Sequence, residues 1–264
     1  MTDTVPDILA RIVAHKQGER SRVSTNRAEW ERRAGDLASS RRDFRGALLA
    51  RSPAIIAEMK KASPSRGLLC ANFEPTAIAR EYESGGAAAL SVLTDEHFFQ
   101  GSLADLRKAR GAAGLPVLRK DFTLDEYDVV EAAGNSADAI LLIVAILDAA
   151  RIRALRELAG SYRMSALVEA HDEGEVAVAL EAGCDLIGIN NRNLKTFEVK
   201  LETSLRLAER IPSSVVKVAE SGIHSAADIN LLRDAGFQAF LVGEHLMKSP
   251  SPASALRALT GGGA

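Results

Sequence analysis

The sequence predicts an α/β fold, a closed (β/α)8 barrel of the TIM-barrel class with a helical N-terminal extension. Three observations predict it. Eight apolar, β-rich runs recur past residue 50, their starts separated by 20 to 33 residues, which is room for one helix and two short loops. Amphipathic helical patterns fill the intervals, and several end in Gly just before the next run, where a C-cap belongs. No GxGxxG motif follows the first run, so an open dinucleotide-binding sheet is the poorer fit.

The chain opens with PDILARIVAHKQGER, in which Ile8, Leu9, Ile12 and Val13 share one helical face and predict a docked amphipathic helix. Residues 21–50 read as further short helices rich in Arg. Residues 1–50 offer too little apolar surface for a core of their own, so 1–264 is expected to form a single domain, with the barrel over 51–260. The strand runs are AIIAE (54–58), AAALSVLT (87–94), PVLRK (116–120), DAILLIV (138–144), SALVEA (165–170), DLIGIN (185–190), SVVKVAES (214–221) and QAFLVG (238–243). Such continuous apolar strands imply a parallel sheet covered by helices. TAIAREYESG, LADLRKARG, LDEYDVVEAAG, DAARIRALRELAG, EGEVAVALEAG, ETSLRLAERI, SAADINLLRDAG and SPASALRAL supply those helices in order. The GGGA tail is expected to be disordered.

Composition narrows the functional class. With 47% apolar and 26% charged residues in 264, the chain has the balance of an ordinary globular enzyme. Cys70 and Cys184 form no ligand spacing, and the five histidines make no metal-binding pattern. The start, MTDTVPDILARIV, lacks a basic segment followed by a long apolar core, and no run reaches the roughly 18 apolar residues of a membrane helix. A reduced cytoplasmic protein is therefore expected, without a membrane partner. The net charge of −2 argues against nucleic-acid binding. Residues 1–51 carry 11 Lys/Arg against 7 Asp/Glu, the remainder 22 against 28. A basic arm of this kind can attract an anionic small molecule, and solvated helix faces explain it equally well.

In barrel enzymes the site lies at the C-terminal ends of the strands, and unusual polar residues cluster there. Glu58 and Lys60, two apart, project to the same side of the first strand. The third run ends in Arg119-Lys120-Asp121-Phe122, the fifth in Glu169 and the sixth in Asn190-Asn191-Arg192. The seventh ends in Glu220-Ser221-Gly222 and the eighth in Gly243-Glu244. Plainer readings stand beside these: a rim salt bridge for Glu58 and Lys60, a solvated pair for Lys120 and Asp121, and loop-backbone partners for Asn190. Glu169 is harder to dismiss, because a lone carboxylate closing LVE must be paired or functional. His171 and His224 are expected in loop or capping roles, His97 on the rim. SGI and VGE place glycine-exposed N–H groups side by side after the seventh and eighth strands, the common barrel phosphate site, where the Ser221 hydroxyl can also donate. Lysine in a partly dry site crowded with other cations is expected to have its pKa lowered toward neutrality, suiting general-acid work.

IIAEMKKASPSRG, SVLTDEHFFQGS, PVLRKDF, LVEAHDE, IGINNRNL, VAESGI and FLVGEHLM resemble, in order, the motifs of the indole-3-glycerol phosphate synthase family, across about residues 55–247. The resemblance implies ring closure, decarboxylation and dehydration of 1-(2-carboxyphenylamino)-1-deoxyribulose 5-phosphate, a small phosphorylated substrate, with no cofactor and no metal. It implies that Lys120 is the catalytic acid and Glu169 the second acid/base, with Glu58 as partner carboxylate. Lys60 would hold the anthranilate carboxylate, Asn190 and Glu220 would orient sugar hydroxyls and lysines, and Arg192 would touch the anthranilate part. Phosphate would rest on Ser63, Ser221, Gly222, Gly243 and the backbone of Glu244, whose carboxylate should turn away. Pro64, Phe99, Phe122 and Leu194 would wall the ring, Ser65 to Gly67 would begin a mobile loop, and Lys61 falls on the wrong parity to take part. Two other readings stay open: a phosphosugar aldolase or isomerase forming a Schiff base at Lys120 or Lys217, and a phosphate-binding barrel without turnover. A monomer is compatible with the sequence.

Overall fold

The protein is described here from a computed structural model covering residues 7–23, 27–64 and 66–261. The expectations placed on the first six residues, on Ser65 and on the tail beyond Gly261 lie outside the described residues. Three helices precede the barrel: α1 (Asp7–Val23), α2 (Arg27–Leu37) and α3 (Phe44–Leu49). β1 (Ala54–Met59) leads into a small antiparallel hairpin, Ala62–Ser63 with Gly67–Leu68, and then α4 (Pro75–Ser84). β2 (Ala89–Leu93) is followed by α5 (Glu96–Phe99) and α6 (Leu103–Ala112), β3 (Val117–Lys120) by α7 (Glu126–Gly134), and β4 (Ala139–Ile143) by α8 (Ala149–Ser161). β5 (Ser165–Ala170) precedes α9 (Glu173–Glu181), β6 (Leu186–Asn190) precedes α10 (Glu202–Ala208), and β7 (Val216–Glu220) precedes α11 (Ala226–Asp234). β8 (Ala239–Val242) ends in α12 (Glu244–Met247) and α13 (Pro252–Leu259).

Each strand pairs in parallel with its sequence neighbours, and β1 pairs with both β2 and β8, so the eight-stranded sheet closes. The eight strands expected from the apolar runs are all present, each within two residues of the expected start. The hairpin after β1 and the one-turn α5 were not foreseen. Their residues, SPSRG and EHFF, are too short to show a period.

Alternation along the strands divides the core in two. Ile56, Leu118, Leu141, Leu167, Val218 and Leu241 point into the barrel, and Phe44 and Leu48 of α3 plug its floor beneath them. Burying each of these two side chains is worth roughly 2–3 kcal/mol. Ile55, Val92, Val117, Ile140, Val168 and Ile187 take the opposite parity and pack under the helices.

The N-terminal helices reach three different faces of the barrel. Beside the floor plug, α2 lies along α7, with Trp30 so close to Gly134 that a methyl group there would overlap it. α1 instead crosses the C-terminal mouth. Leu9 and Ile12 are buried as the apolar stripe requires, and Lys16 Nζ reaches Asp95 Oδ2 at 3.1 Å and Asp121 Oδ1 at 2.9 Å. The basic residues of this arm thus act as anchors. The Arg42 backbone N–H donates to Asp138, and its guanidinium donates to the Ala113 and Leu115 carbonyls.

Asp95 and Asp121 are almost wholly buried under Lys16. Removing one partner of such a cluster typically costs about 3–5 kcal/mol. Since α1 can leave and let water in, Lys16→Met should loosen the helix rather than the barrel: amide exchange across 8–16 should accelerate at least tenfold while the strand amides keep their protection. Arg119 and Lys16 outweigh burial and hold Asp121 down at about 2. Its stabilising share is therefore present above about pH 4 and lost as pH falls toward 2, and exchange in α1 should accelerate over that window.

Candidate active site

Strand parity builds the site. Ala54, Ile56 and Glu58 share the inner face of β1, Leu118 and Lys120 that of β3, Leu167 and Glu169 that of β5, and Val216, Val218 and Glu220 that of β7. The last inward residue of each of these four strands is charged, so a polar layer caps the apolar ones at the mouth. Lys120 Nζ donates to Glu169 Oε2 at 2.9 Å and to Glu220 Oε2 at 2.7 Å. Lys60 Nζ donates to Glu58 Oε1 at 2.6 Å, so the rim pair and the site residue are the same contact. Asn190 Nδ2 donates to Glu169 Oε1 at 3.2 Å, and Asn190 Oδ1 accepts from the Ser221 hydroxyl at 2.9 Å.

Two glycines make room for these acids. A methyl group at Gly188 would overlap the Glu220 carboxylate, and one at Gly243 would overlap that of Glu58. The glycine of VGE, expected to expose backbone to phosphate, is thus also demanded by the first strand. The adjoining turns fit an anion: Ser221 and Gly222 are consecutive left-handed residues, with φ of +67° and +80°. Among the described residues, the backbone N–H groups of Gly222, Ile223 and Gly243 find no acceptor. The Glu244 carboxylate turns to Lys248 at 2.6 Å and Arg66 at 3.6 Å, leaving its backbone to the mouth.

A cavity of about 350 Å³ opens over this layer. All the residues singled out from the sequence line it: Glu58, Lys60, Ser63, Pro64, Phe99, Lys120, Phe122, Glu169, Asn190, Arg192, Leu194, Glu220, Ser221, Gly222, Gly243 and Glu244. Phe99 and Phe122 stand 6.2 Å apart across an apolar side. Sequence reasoning missed the rest of that side, Ile8, Leu9 and Ile12 of α1 with Phe197 and Val199 of the loop after β6. The amphipathic stripe of α1 was the available signal, and it was read as docking alone. His97 stacks on His15 at the rim, as expected. His171 lies in the loop at the start of α9, as expected, and its half-buried ring also comes within 3.4 Å of Glu169. No three His, Cys, Asp or Glu among the described residues stand close enough to hold a metal ion.

The electrostatics correct one expectation. Lys120 is surrounded by carboxylates and not by cations. Burial works to lower its pKa, but Glu169, Glu220 and Glu58 outweigh burial and hold it above the ordinary lysine value. Burial likewise opposes charge on Glu169, which Lys120 and His171 keep well below the usual carboxylate range. Glu220 yields: burial and the neighbouring Glu169 push it up to about 7 against the pull of Lys120. Nor do Lys120 and Asp121 pair, since they face opposite ways and Asp121 binds Arg119, Thr94 and Lys16. Lys217, the other candidate for a Schiff base, points away from the cavity, its Nζ on the Ala208 carbonyl at 2.7 Å.

The fold and site together define a (β/α)8 barrel whose mouth holds a buried lysine–carboxylate cluster beside backbone N–H groups that find no acceptor among the described residues. The particular family follows from comparison with known proteins. A family model described as indole-3-glycerol phosphate synthase matches residues 9–259. The chain is 50% identical over 264 residues to the indole-3-glycerol phosphate synthase of Koribacter versatilis, covering 99% of this chain and 97% of that one. It is 49% identical over 260 residues to that of Aromatoleum aromaticum, covering 97% and 99%. Among solved structures, 3-hexulose-6-phosphate synthase superposes with a TM-score of 0.64 at 15% identity, over 80% of this chain and 100% of that one, a likeness of fold. The chain belongs to the indole-3-glycerol phosphate synthase family.

A carboxyl whose folded pKa lies near 7, against 4.5 unfolded, destabilises the fold above pH 7 and ceases to do so below about pH 4.5. Glu220→Gln should therefore raise the melting temperature of the ligand-free protein by a few degrees at pH 8, the gain shrinking as pH falls toward 4.5. Thermal scans at pH 5 and pH 8 measure it.

Proposed function

We propose that this chain closes the indole ring, converting 1-(2-carboxyphenylamino)-1-deoxyribulose 5-phosphate to indole-3-glycerol phosphate with loss of carbon dioxide and water. The observation that carries the assignment of roles is the Lys120 ammonium shared by Glu169 and Glu220 at the base of a cavity with one anion-binding and one apolar side. Phosphate lies against Gly222, Gly243 and the Glu244 backbone, near Ser63 and Ser221. The anthranilate ring enters the slot of Phe99, Phe122, Pro64 and Leu194, its carboxylate on Lys60 and its edge near Arg192.

Ring closure makes the ring carbon attack the ribulose carbonyl, whose oxygen gains negative charge. The alkoxide that forms is a far stronger base than an amine, so Lys120 can surrender a proton to it despite its raised pKa. Before transfer, the same ammonium stabilises the growing charge at the mouth of a partly dry barrel. Loss of carbon dioxide restores the neutral ring system. Glu169 then removes the ring proton while the departing hydroxyl is protonated, a step open to Lys60 with Glu58 as its partner. Asn190 and Glu220 hold Glu169 and Lys120 in place and meet the sugar hydroxyls.

A Schiff base would require a neutral lysine to attack a carbonyl. The carboxylates around Lys120 oppose that, and Lys217 is outside the cavity. The floor plug by α3 supports one domain comprising extension and barrel, and no described helix is long and apolar enough to cross a membrane. A cytoplasmic enzyme is the reading consistent with these features.

Lys120→Met should lower kcat by about two orders of magnitude or more, the scale of a lost general acid, while substrate still binds. Indole fluorescence appearing during incubation with substrate measures it, and near-normal turnover would overturn the assignment. Borohydride added during turnover should leave both Lys120 and Lys217 unlabelled.

A further inference from the structure

His171 is a half-buried titratable group, its Nε2 shut off from solvent, to which the mechanism above gives no task. It follows β5 by one residue and lies two beyond Glu169, so both side chains lean the same way. Glu175, in the first turn of α9, accepts the His171 backbone N–H at 2.7 Å and faces Nδ1 at 3.0 Å with the same oxygen. Asp172, the N-cap of α9, accepts the Glu175 N–H at 2.9 Å and fixes the start of that helix. The ring is thus clamped with a proton on Nδ1, and Nε2 is aimed at Glu169 Oε1, 3.4 Å away and without a hydrogen-bond partner among the described residues. Behind the ring lies a second, polar cavity of about 480 Å³ between the loops after β5 and β6. Its other charges are Asp172 together with Arg192, Lys195, Glu198, Lys200 and Arg206 from the β6 side.

We propose that the Glu175–His171 pair is a positioning device that keeps Glu169 in its base form through the reaction, an inference that rests on Glu169 removing the ring proton. Lys120 is the principal counter-charge of Glu169, and Lys120 is also the group that gives up a proton when the ring closes. From that moment Glu169 would face Glu220 and Glu58 in a buried layer without its cation, and the three carboxylates would draw protons. His171 lies on the other oxygen of Glu169, clear of the reacting carbonyl, and its charge is secured by two carboxylates, Glu169 and Glu175. Burial works against that charge, yet these partners lift the imidazole to about 10. The positive charge therefore stays when Lys120 becomes neutral. The ring proton then passes to Glu169 and afterwards to solvent, and His171 gains and loses nothing.

The test is the pH dependence of kcat in His171→Gln and Glu175→Gln, with His171→Asn as a smaller neutral replacement. Removing a positive charge beside Glu169 raises its pKa, so the base form needs a higher pH. In His171→Gln the acid limb should move up by about one unit, leaving kcat about tenfold lower at pH values below the limb of the parent. The profile should converge on that of the parent at alkaline pH, and KM should change less than twofold. Glu175→Gln should shift the limb in the same direction by less. In the parent, the His171 ring proton followed by NMR should titrate well above the ordinary histidine value of about 6.5. Loss of kcat by one factor at all pH values, or a ring titrating at or below 6.5, would overturn the proposal. Glu169→Gln separates the two layers of argument. If it retains turnover, the role of Glu169 fails. If it is inactive while the acid limb of His171→Gln stays put, the role of His171 alone fails.

Discussion

Three carboxylates and one ammonium are driven into the mouth of this barrel by the alternation of its strands, and none of them could stay there alone. Glu58, Glu169 and Glu220 are each at most 4% exposed. A charge so desolvated survives only if paired and hydrogen-bonded. Lys120 meets that need for two of them, Lys60 for the third, and the surplus of negative charge is relieved where Glu220 drifts toward the neutral form. The apolar layers below keep the cluster from bulk water, and there each charge acts more strongly on its neighbours than it would in solvent. The cost of desolvation and the attraction between opposite charges therefore pull on the same four side chains in opposite directions.

Space is the second constraint, and it follows from the first. An inward strand position normally carries a side chain that fills the barrel. At Gly188 and Gly243 it carries none, because the acids of β7 and β1 lie across those positions. Any larger residue at Gly243 would push Glu58 off Lys60 and also cover the backbone N–H at that turn. The glycine that closes the eighth strand thus joins the glycine turns of the rim to the buried charged layer.

Much of this was legible because it is local. Strand ends, period-2 parity and the doubled glycine turns all reside within a few consecutive residues, and they placed the polar residues around one cavity before any coordinates. What escaped was nonlocal. Lys16 meets Asp95 and Asp121 about 80 and 105 residues along the chain, and nothing in AHKQ announces that. The sign of the Lys120 shift was misread for a related reason. Sequence lists cations and anions at the mouth without saying which lie nearest, and the strands on either side of β4 and β6 bring Glu169 and Glu220 to Lys120 while Arg192 stays at the rim. His171 was discounted because the residue after a strand usually caps or turns. Only the helix start at Asp172 reveals that Glu175 returns to hold it.

The segment Arg119-Lys120-Asp121 shows how one strand end can serve closure and chemistry without mixing them. Lys120 faces inward. Arg119 and Asp121 share the other parity, bind each other, and leave Asp121 exposed to Lys16 from above. The helix over the mouth is consequently tied down by charges that lie behind its apolar stripe, and among its described side chains Ile8, Leu9 and Ile12 reach the cavity wall. Had the anchor used the inward parity, Lys16 would have competed with Lys120 for the same acids. Opposite parity at adjacent residues is what lets a lid be fastened electrostatically over an electrostatic site.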